Sequence, residues 1–244
     1  MVVEVCASSS LSIKNAYQAG ADRIELCSAL EIGGLTPSLG LIKQSLEDNF
    51  LPIHCLIRPR QGHFFYSASE IKIIEQNIDN AIALGCHGIV IGMHNEDFEL
   101  DYNLLERLKS IVGSKFLTFH RAFDVILNPE KAIHDLIELG FDCILSSGQH
   151  EKAIDGIDNL KRWNDKFGHK ISIMPGSGVD RNNCIDFKNA GFKSIHLSGG
   201  LDNPDLKPPC GINKNLSFLK QNLRESNTKI ISEVVNIFKS NYIK

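Results

Sequence analysis

Apolar and polar positions form a regular succession of short and long segments along the whole chain. Eight short apolar runs lie at 2–8, 23–28, 53–58, 88–93, 116–123, 143–147, 171–176 and 194–199. Longer segments between them carry apolar residues at helical spacing, such as Ile71, Ile74, Ile78 and Ile82 in 68–84. Short continuous apolar runs predict buried strands, and the longer segments predict helices that cover them.

One motif recurs in every second unit of this succession. Its four copies are AGADRIEL (19–26), LGCHGIVI (84–91), LGFDCILS (139–146) and AGFKSIHL (190–197). Each copy has a glycine that ends a helix, a short turn and an apolar strand. Eight strand–helix units with such a repeat predict an α/β fold, a (β/α)8 barrel. An open doubly wound sheet is less favoured, because CASSSLS after the first strand is not glycine-rich.

We expect one TIM-barrel-like domain over residues 1–244. Residues 1–200 would form the barrel core, and 201–244 would form a C-terminal loop and helix. GLDNPDLKPPCGIN predicts a long loop, followed by a final helix at about 215–239.

Composition excludes several function classes. The 244 residues carry a net charge of −3, so no basic field favours nucleic acid as a partner. No apolar run approaches the roughly 18 residues of a membrane helix, and MVVEVCASSS lacks the basic start of a secretory signal. Seven scattered cysteines favour reduced thiols and a cytoplasmic protein.

The first two strands carry the same Glu-x-Cys pattern. Side chains alternate along a strand, so Glu4 shares a face with Cys6, and Glu25 shares a face with Cys27. Thiolates on neighbouring strands suit Cu(I), a soft ion, so Cys6 and Cys27 are the candidate copper ligands. The alternative is that each cysteine is a small buried apolar residue.

A second group of polar residues follows the third and fifth strands. Arg58 and Arg60 flank Pro59, which predicts that both lie on one side of the strand end. With His120 and Glu25 they suggest a site at the barrel mouth that binds an anion and performs acid–base chemistry. The alternative is a buried ion-pair network without a ligand.

TFHRAFD (118–124) brings the fifth strand to this mouth. His120 and Arg121 lie on opposite faces by alternation, and we expect His120 to point inward. Asp124 comes after the strand and is expected to anchor the loop or Arg121.

Glycine-rich turns close the last two strands. Gly176, Ser177 and Gly178 end the seventh strand, and Ser198 and Gly199 end the eighth. Backbone N–H groups at this position of a barrel often bind phosphate, which adds these residues to the candidate anion site. The loop 58–67, with its arginines and aromatic residues, predicts a lid or a contact in a homo-oligomer.

Taken together, the motifs resemble the copper homeostasis protein CutC family. They are ADRIELCS (21–28), GGLTPS (33–38), IRPRQGHFFYS (57–67), FHRAFD (119–124), SSG (146–148) and MPGSG (174–178). The resemblance implies a TIM-barrel-like fold, a cytoplasmic protein, copper binding and a role in copper homeostasis. It implies no settled reaction. The chain departs from the family after His196, where Leu197-Ser198-Gly199-Gly200 replaces a turn expected to carry an arginine.

Two functional hypotheses follow from the sequence. The first is a cytosolic copper-binding protein that holds Cu(I) at Cys6 and Cys27. The second is a barrel enzyme that acts on a small anionic or phosphorylated substrate through Glu25, Arg58 and His120. Whether the chain catalyses a reaction is left open.

Overall fold

The structure is a computed structural model that describes residues 1–203, 209–213, 215–216 and 223–240. Its main sheet has eight parallel strands, which correspond to the eight apolar runs. They are β1 (Val2–Ala7), β2 (Arg23–Leu26), β3 (Ile53–Leu56), β4 (Gly88–Ile91), β5 (Phe116–Phe119), β6 (Cys143–Ser146), β7 (Ser172–Pro175) and β8 (Ser194–Leu197).

A helix follows each strand of the sheet. The helices are α1 (Ser10–Gln18), α2 (Leu39–Asp48), α3 (Ala68–Leu84), α4 (Tyr102–Val112), α5 (Pro129–Glu138), α6 (Ile157–Phe167), α7 (Cys184–Asn189) and α8 (Thr228–Lys239). No helix among the described residues is both long and apolar enough to cross a membrane.

The strands curve into a nearly closed barrel. The hydrogen-bonded order is β7-β6-β5-β4-β3-β2-β1-β8, so each strand lies beside its neighbour in sequence. At the seam, the hydroxyl oxygens of Ser172 on β7 and Ser194 on β8 lie 3.0 Å apart. The predicted (β/α)8 barrel is therefore confirmed. Several strands end before the corresponding apolar runs do, because the chain turns into a loop there. After β5, for example, Arg121–Val125 forms a 3-10 turn.

The recurring glycine motif has the structural role that the sequence predicts. Gly20, Gly85, Gly140 and Gly191 each follow a helix, with φ between +75° and +103°. This left-handed conformation ends the helix and turns the chain into β2, β4, β6 and β8.

The two faces of the strands differ in chemistry. The outward face packs against the helices as one apolar core that includes Ile24, Ile89 and Leu117. The inward face carries charged and polar side chains that are buried, among them Glu4, Glu25, His54 and His196. The barrel interior therefore combines this polar group with two small apolar clusters, and the main apolar core lies between the strands and the helices.

The C-terminal segment differs from its prediction. Within the expected loop and helix, β9 (Gly200–Asn203) pairs antiparallel with β10 (Leu223–Ser226). The final helix begins at Thr228 because the Asn227 side chain accepts a hydrogen bond from the Ile230 N–H at 3.1 Å. Residues 204–208, 214, 217–222 and 241–244 of the predicted loop and helix lie outside the described residues.

Two glycines on the inward face of the barrel make room for histidine rings. A Cβ at Gly88 would lie 2.8 Å from the His54 ring, and a Cβ at Gly92 would lie 2.3 Å from His120 Nδ1. A side chain larger than that of glycine at either position would clash with the neighbouring histidine ring.

Gly92→Ala is expected to displace His120 and to destabilise the fold by about 1–3 kcal/mol, the usual cost of overpacking. Urea denaturation monitored by circular dichroism measures the change. Gly40→Ala is the matched control, because nothing lies within 4 Å of a Cβ at this helical position. A Gly92→Ala protein as stable as the Gly40→Ala protein would contradict the steric argument.

Candidate functional site

A cavity of about 800 Å³ opens at the carboxyl ends of the strands. Side chains from several strands line its floor, and the loops after them form its rim. The floor residues are Cys6, Glu25, Leu56, Arg58, His120 and His196. The predicted group Glu25, Arg58 and His120 therefore shares one cavity.

A buried carboxylate organises the barrel interior beneath this cavity. Glu4 is fully buried, and its Oε2 accepts a hydrogen bond from Arg23 Nε at 2.5 Å. Its Oε1 lies 2.8 Å from His196 Nδ1. Burial opposes ionisation, but Arg23 and His196 outweigh it and hold the pKa of Glu4 far below its ordinary range. Glu4 is therefore an anion between two cationic partners.

His196 and Glu25 extend this cluster toward the cavity. Burial alone would lower the pKa of His196, but Cys6, Glu25 and Glu4 reverse that effect and raise it well above its ordinary value. Glu25 is 6% exposed, and its Oε2 makes no hydrogen bond to any described residue. Burial raises the pKa of Glu25 to about 7, against the opposing charge of His196. A carboxyl group with this pKa can give or take a proton near neutral pH.

The same three residues have donor atoms close enough for a metal ion. Ligand atoms of Glu4, Glu25 and His196 all lie within 4.8 Å of one another. However, Arg23 already pairs with Glu4, and the raised pKa of His196 favours its protonated form. These contacts favour a proton-exchanging cluster over a divalent metal site.

His120 points into the cavity with a defined tautomer. Its Nδ1 accepts a hydrogen bond from the Ala122 N–H at 3.0 Å, so the proton of the neutral ring is on Nε2. Nε2 is buried and has no partner among the described residues. Burial first, and then the charge of Arg58, lower the pKa of His120 to about 3. His120 is therefore a neutral hydrogen-bond donor to the cavity.

Arg58 also lines the cavity, but loop carbonyls hold most of its guanidinium. Nη1 donates to the carbonyls of Ile32 and Gly34, and Nη2 donates to Gly62 at 3.0 Å. Burial lowers the pKa of Arg58, and the nearby Tyr66 hydroxyl opposes this effect. No hydrogen bond joins the Tyr66 hydroxyl to Arg58 Nε. Neither atom has a hydrogen-bond partner among the described residues.

Arg60 does not join Arg58 in the cavity. Its Nε lies 2.5 Å from Glu70 Oε1 in the first turn of α3, and its other nitrogens bind carbonyls of the same loop. Arg60 is therefore not among the residues that line the cavity with Arg58. The carboxylate of Glu70, which the sequence analysis did not consider, is the physical reason.

Cys6 and Cys27 lie in one buried cluster with Leu56 and Val90. In the sheet register Cys6 is paired with Glu25, so Cys27 lies one layer nearer the mouth. Cys6 lines the cavity, whereas Cys27 is fully buried under Gly34. Burial first, and then the charge of Cys6, raise the pKa of Cys27 well above its ordinary value.

Asp124 anchors the loops that follow β5 and β6. Its carboxylate accepts hydrogen bonds from Arg121 Nε at 2.8 Å, Ser146 Oγ at 2.5 Å and Ser147 N–H at 3.0 Å. The expectation that Asp124 anchors the loop and Arg121 agrees with these contacts. Arg121 keeps 40% of its side chain exposed at the cavity rim.

The glycine-rich turns reach the cavity only in part. Ser177 and Gly178 line one side, and Ser198 and Gly199 line the next. Gly176 lies below the lining, where a Cβ would meet Leu145 at 2.4 Å. The anion-binding role of these five residues stays a prediction.

Two groups of site residues were missed by the sequence analysis. Arg23 stands at the start of β2, where a charged residue is ordinary, and the sequence analysis gave His196 no role in the site. Strand alternation could have placed His196 inward beside Glu4. Arg224, Glu225 and Ser226 on β10 also line the cavity, and no local sequence signal predicts their position.

Comparison with known proteins identifies the relatives of this chain. The sequence model of the CutC family matches residues 1–201. A family protein CutC of Pasteurella multocida is 38% identical over 200 residues, which cover 82% of each chain. One from Histophilus somni is 40% identical over 199 residues, 81% of this chain and 82% of the relative.

A solved structure supports the same relationship. It is a Streptococcus agalactiae protein described as a candidate copper homeostasis protein CutC, with 33% sequence identity and a TM-score of 0.77. The match covers 81% of this chain and 98% of that one.

The pKa of Glu25 predicts a specific dependence of stability on pH. Because folding raises this pKa to about 7, the protonated group stabilises the folded state below the unfolded pKa, and this stabilisation is lost as pH rises through 7. We expect the free energy of unfolding of the wild type, relative to Glu25→Gln, to fall by about 3 kcal/mol between pH 5 and 8. Urea denaturation at several pH values measures it.

The comparison with the variant reports the titration of Glu25 together with the effect of its charge on His196. His54 and His120 have lowered pKa values and act in the opposite direction below neutral pH, but both are present in both proteins. Glu106→Gln, at an exposed position of α4, is the control and should show no such difference. Parallel pH profiles for the wild type and Glu25→Gln would overturn the assignment.

Proposed function

This chain belongs to the CutC family, and we propose that its barrel mouth binds a small anionic molecule with which Glu25 exchanges a proton. One observation carries this proposal. Three buried polar atoms without partners in the described chain, Glu25 Oε2, Arg58 Nε and His120 Nε2, belong to residues that line the same cavity. Buried polar atoms without hydrogen bonds cost stability, and a bound molecule would satisfy them.

The three groups have different roles in this proposal. The His120 Nε2–H and the Arg58 Nε–H donate to an oxygen of the bound molecule. Glu25 supplies or accepts the proton, because its pKa of about 7 leaves both forms populated near neutral pH. His120 does not act as acid or base, since Ala122 occupies Nδ1 and the low pKa disfavours a second proton.

Removal of the His120 donor tests the anion site. His120→Phe keeps a ring against Phe64, whose centroid lies 5.0 Å away, but lacks Nε2–H. A hydrogen bond to a charged group contributes about 1.5–3 kcal/mol, so we expect affinity for succinate or inorganic phosphate to fall about tenfold or more. Isothermal titration calorimetry measures it. His120→Gln, which retains an N–H donor, should recover part of the affinity.

The control is His169→Phe, at an exposed position before β7 and remote from the mouth. It should bind as the wild type does. The proposal is wrong if the wild type binds neither anion, or if His120→Phe binds both with unchanged affinity.

A second function, Cu(I) binding in copper homeostasis, is favoured by a different observation. Cys6 and Cys27 share one buried cluster, and the related Streptococcus agalactiae protein is described in terms of copper homeostasis. Two thiols suit Cu(I), which would enter past Cys6 and displace the proton that Cys27 retains. All seven cysteines are free, which supports action in the reducing cytoplasm.

Anaerobic Cu(I) titration against a competing chelator tests this function. The double variant Cys6→Ser/Cys27→Ser should lose the tight site, whereas Cys184→Ser/Cys210→Ser should keep it. Wild-type binding should strengthen as pH rises, because metal binding releases thiol protons. Equal Cu(I) affinity in both double variants would exclude Cys6 and Cys27 as the ligands.

A further inference from the structure

The C-terminal hairpin forms a wall of the cavity. β9 and β10 pair antiparallel, with Arg224 opposite Asp202 and Ser226 opposite Gly200. Gly200, Arg224, Glu225 and Ser226 all line the cavity. The CutC family match ends at residue 201, so β10 lies beyond the matched part of the chain. Part of the site wall is therefore specific to the segment that follows the family match.

Hydrogen bonds fix this wall to the barrel. The Glu225 carboxylate is 9% exposed and accepts from the hydroxyls of Ser9 and Ser12 at the start of α1. The Ser226 N–H donates to Ser12 Oγ at 2.9 Å, and the Ser226 hydroxyl donates to the Ser198 carbonyl at 3.0 Å. These contacts hold the two residues that follow Arg224, and Arg224 itself pairs with Asp202 on β9, so the backbone of Arg224 is held in a defined position.

Gly200 sets the course of the Arg224 side chain. A Cβ at Gly200 would lie 2.8 Å from Arg224 Nε and 3.2 Å from its Cγ. The side chain therefore lies across the glycine, and Nη2 donates to the Gly200 carbonyl at 3.1 Å. Asp202 lies 3.8 Å from Nη1, too far for a hydrogen bond. Among the described residues this is the one hydrogen bond of the guanidinium, which has five N–H donors.

We infer that Arg224 contacts a second anionic group of the cavity ligand, a carboxylate or a phosphate, and so determines its specificity. This inference rests on the proposed anion site. Glu31 and Asp180 also lie on the rim, so the rim has charges of both signs. Arg224 therefore recognises the ligand through directed N–H donors on the β8 side of the cavity. A net positive field does not attract the ligand, because the rim also carries acidic residues. The ligand class is a small molecule with two anionic groups.

Calorimetric titration of the full-length protein at low ionic strength tests this role. The probes are acetate, with one carboxylate; succinate and adipate, with two carboxylates at different separations; and phosphoglycolate, with one carboxylate and one phosphate. Arg224→Ala should weaken binding of a dicarboxylate or of phosphoglycolate about fivefold or more, and should leave acetate binding within about twofold. A loss confined to phosphoglycolate identifies the second group as a phosphate; a loss confined to dicarboxylates identifies a carboxylate.

Arg107→Ala is the matched control, because Arg107 and Arg224 have the same side-chain exposure of 58% and each has one acidic neighbour. It should bind every probe as the wild type does. Equal losses in Arg107→Ala and Arg224→Ala, or no loss in Arg224→Ala, would overturn the inference.

The two proposals fail in different ways. If binding depends on His120 but not on Arg224, the inference is wrong and the anion site stands. If binding depends on Arg224 but not on His120, the donor role of His120 is wrong and the inference stands. If the wild type binds none of the probes, both are wrong.

Discussion

The buried carboxylate of Glu4 is the constraint on which the barrel interior depends. An ionised group without solvent is stable only when it is paired, and Arg23 and His196 supply the two partners. Removal of either partner would leave this buried charge only partly compensated. This requirement explains why the interior contains a charged cluster where many barrels have aliphatic layers. It also explains the raised pKa of Glu25. This residue lies beside the cluster, and its Oε2 has no hydrogen-bond partner among the described residues, so the carboxyl group retains its proton to about pH 7.

The charge balance of this cluster connects its structure to its chemistry. Arg23 and protonated His196 are cations, and Glu4 is an anion. With Glu25 protonated, the group has one net positive charge; with Glu25 ionised, it is neutral. Burial opposes the ionised state of Glu25 and the charge of His196 favours it, so both states are populated near neutral pH. A site of this kind can change its protonation state with little structural rearrangement, which suits proton exchange with a molecule above it.

The sequence predicts the barrel far better than it predicts the site. The apolar runs and the glycine-ended helices are local signals, and they correctly predict the eight strands. Strand alternation places His120 and Arg121 on opposite faces but does not show which of them points inward. The separation of Arg58 from Arg60 depends on Glu70, ten residues away. The Glu4–His196 contact joins the first and last strands, and the β9–β10 pairing joins segments about twenty residues apart. Such contacts join segments that are apart in sequence, so no local pattern predicts them.

The two proposed functions share residues and are therefore not independent. Cys6 belongs to the thiol cluster and also lines the cavity. Both Cys6 and Glu25 interact with His196. A Cu(I) ion at Cys6 would place a further positive charge beside this imidazole and would therefore alter the electrostatic environment of Glu25. Copper binding and proton exchange at this mouth would thus be coupled, because Cys6 and Glu25 are partners in the sheet register and both interact with His196.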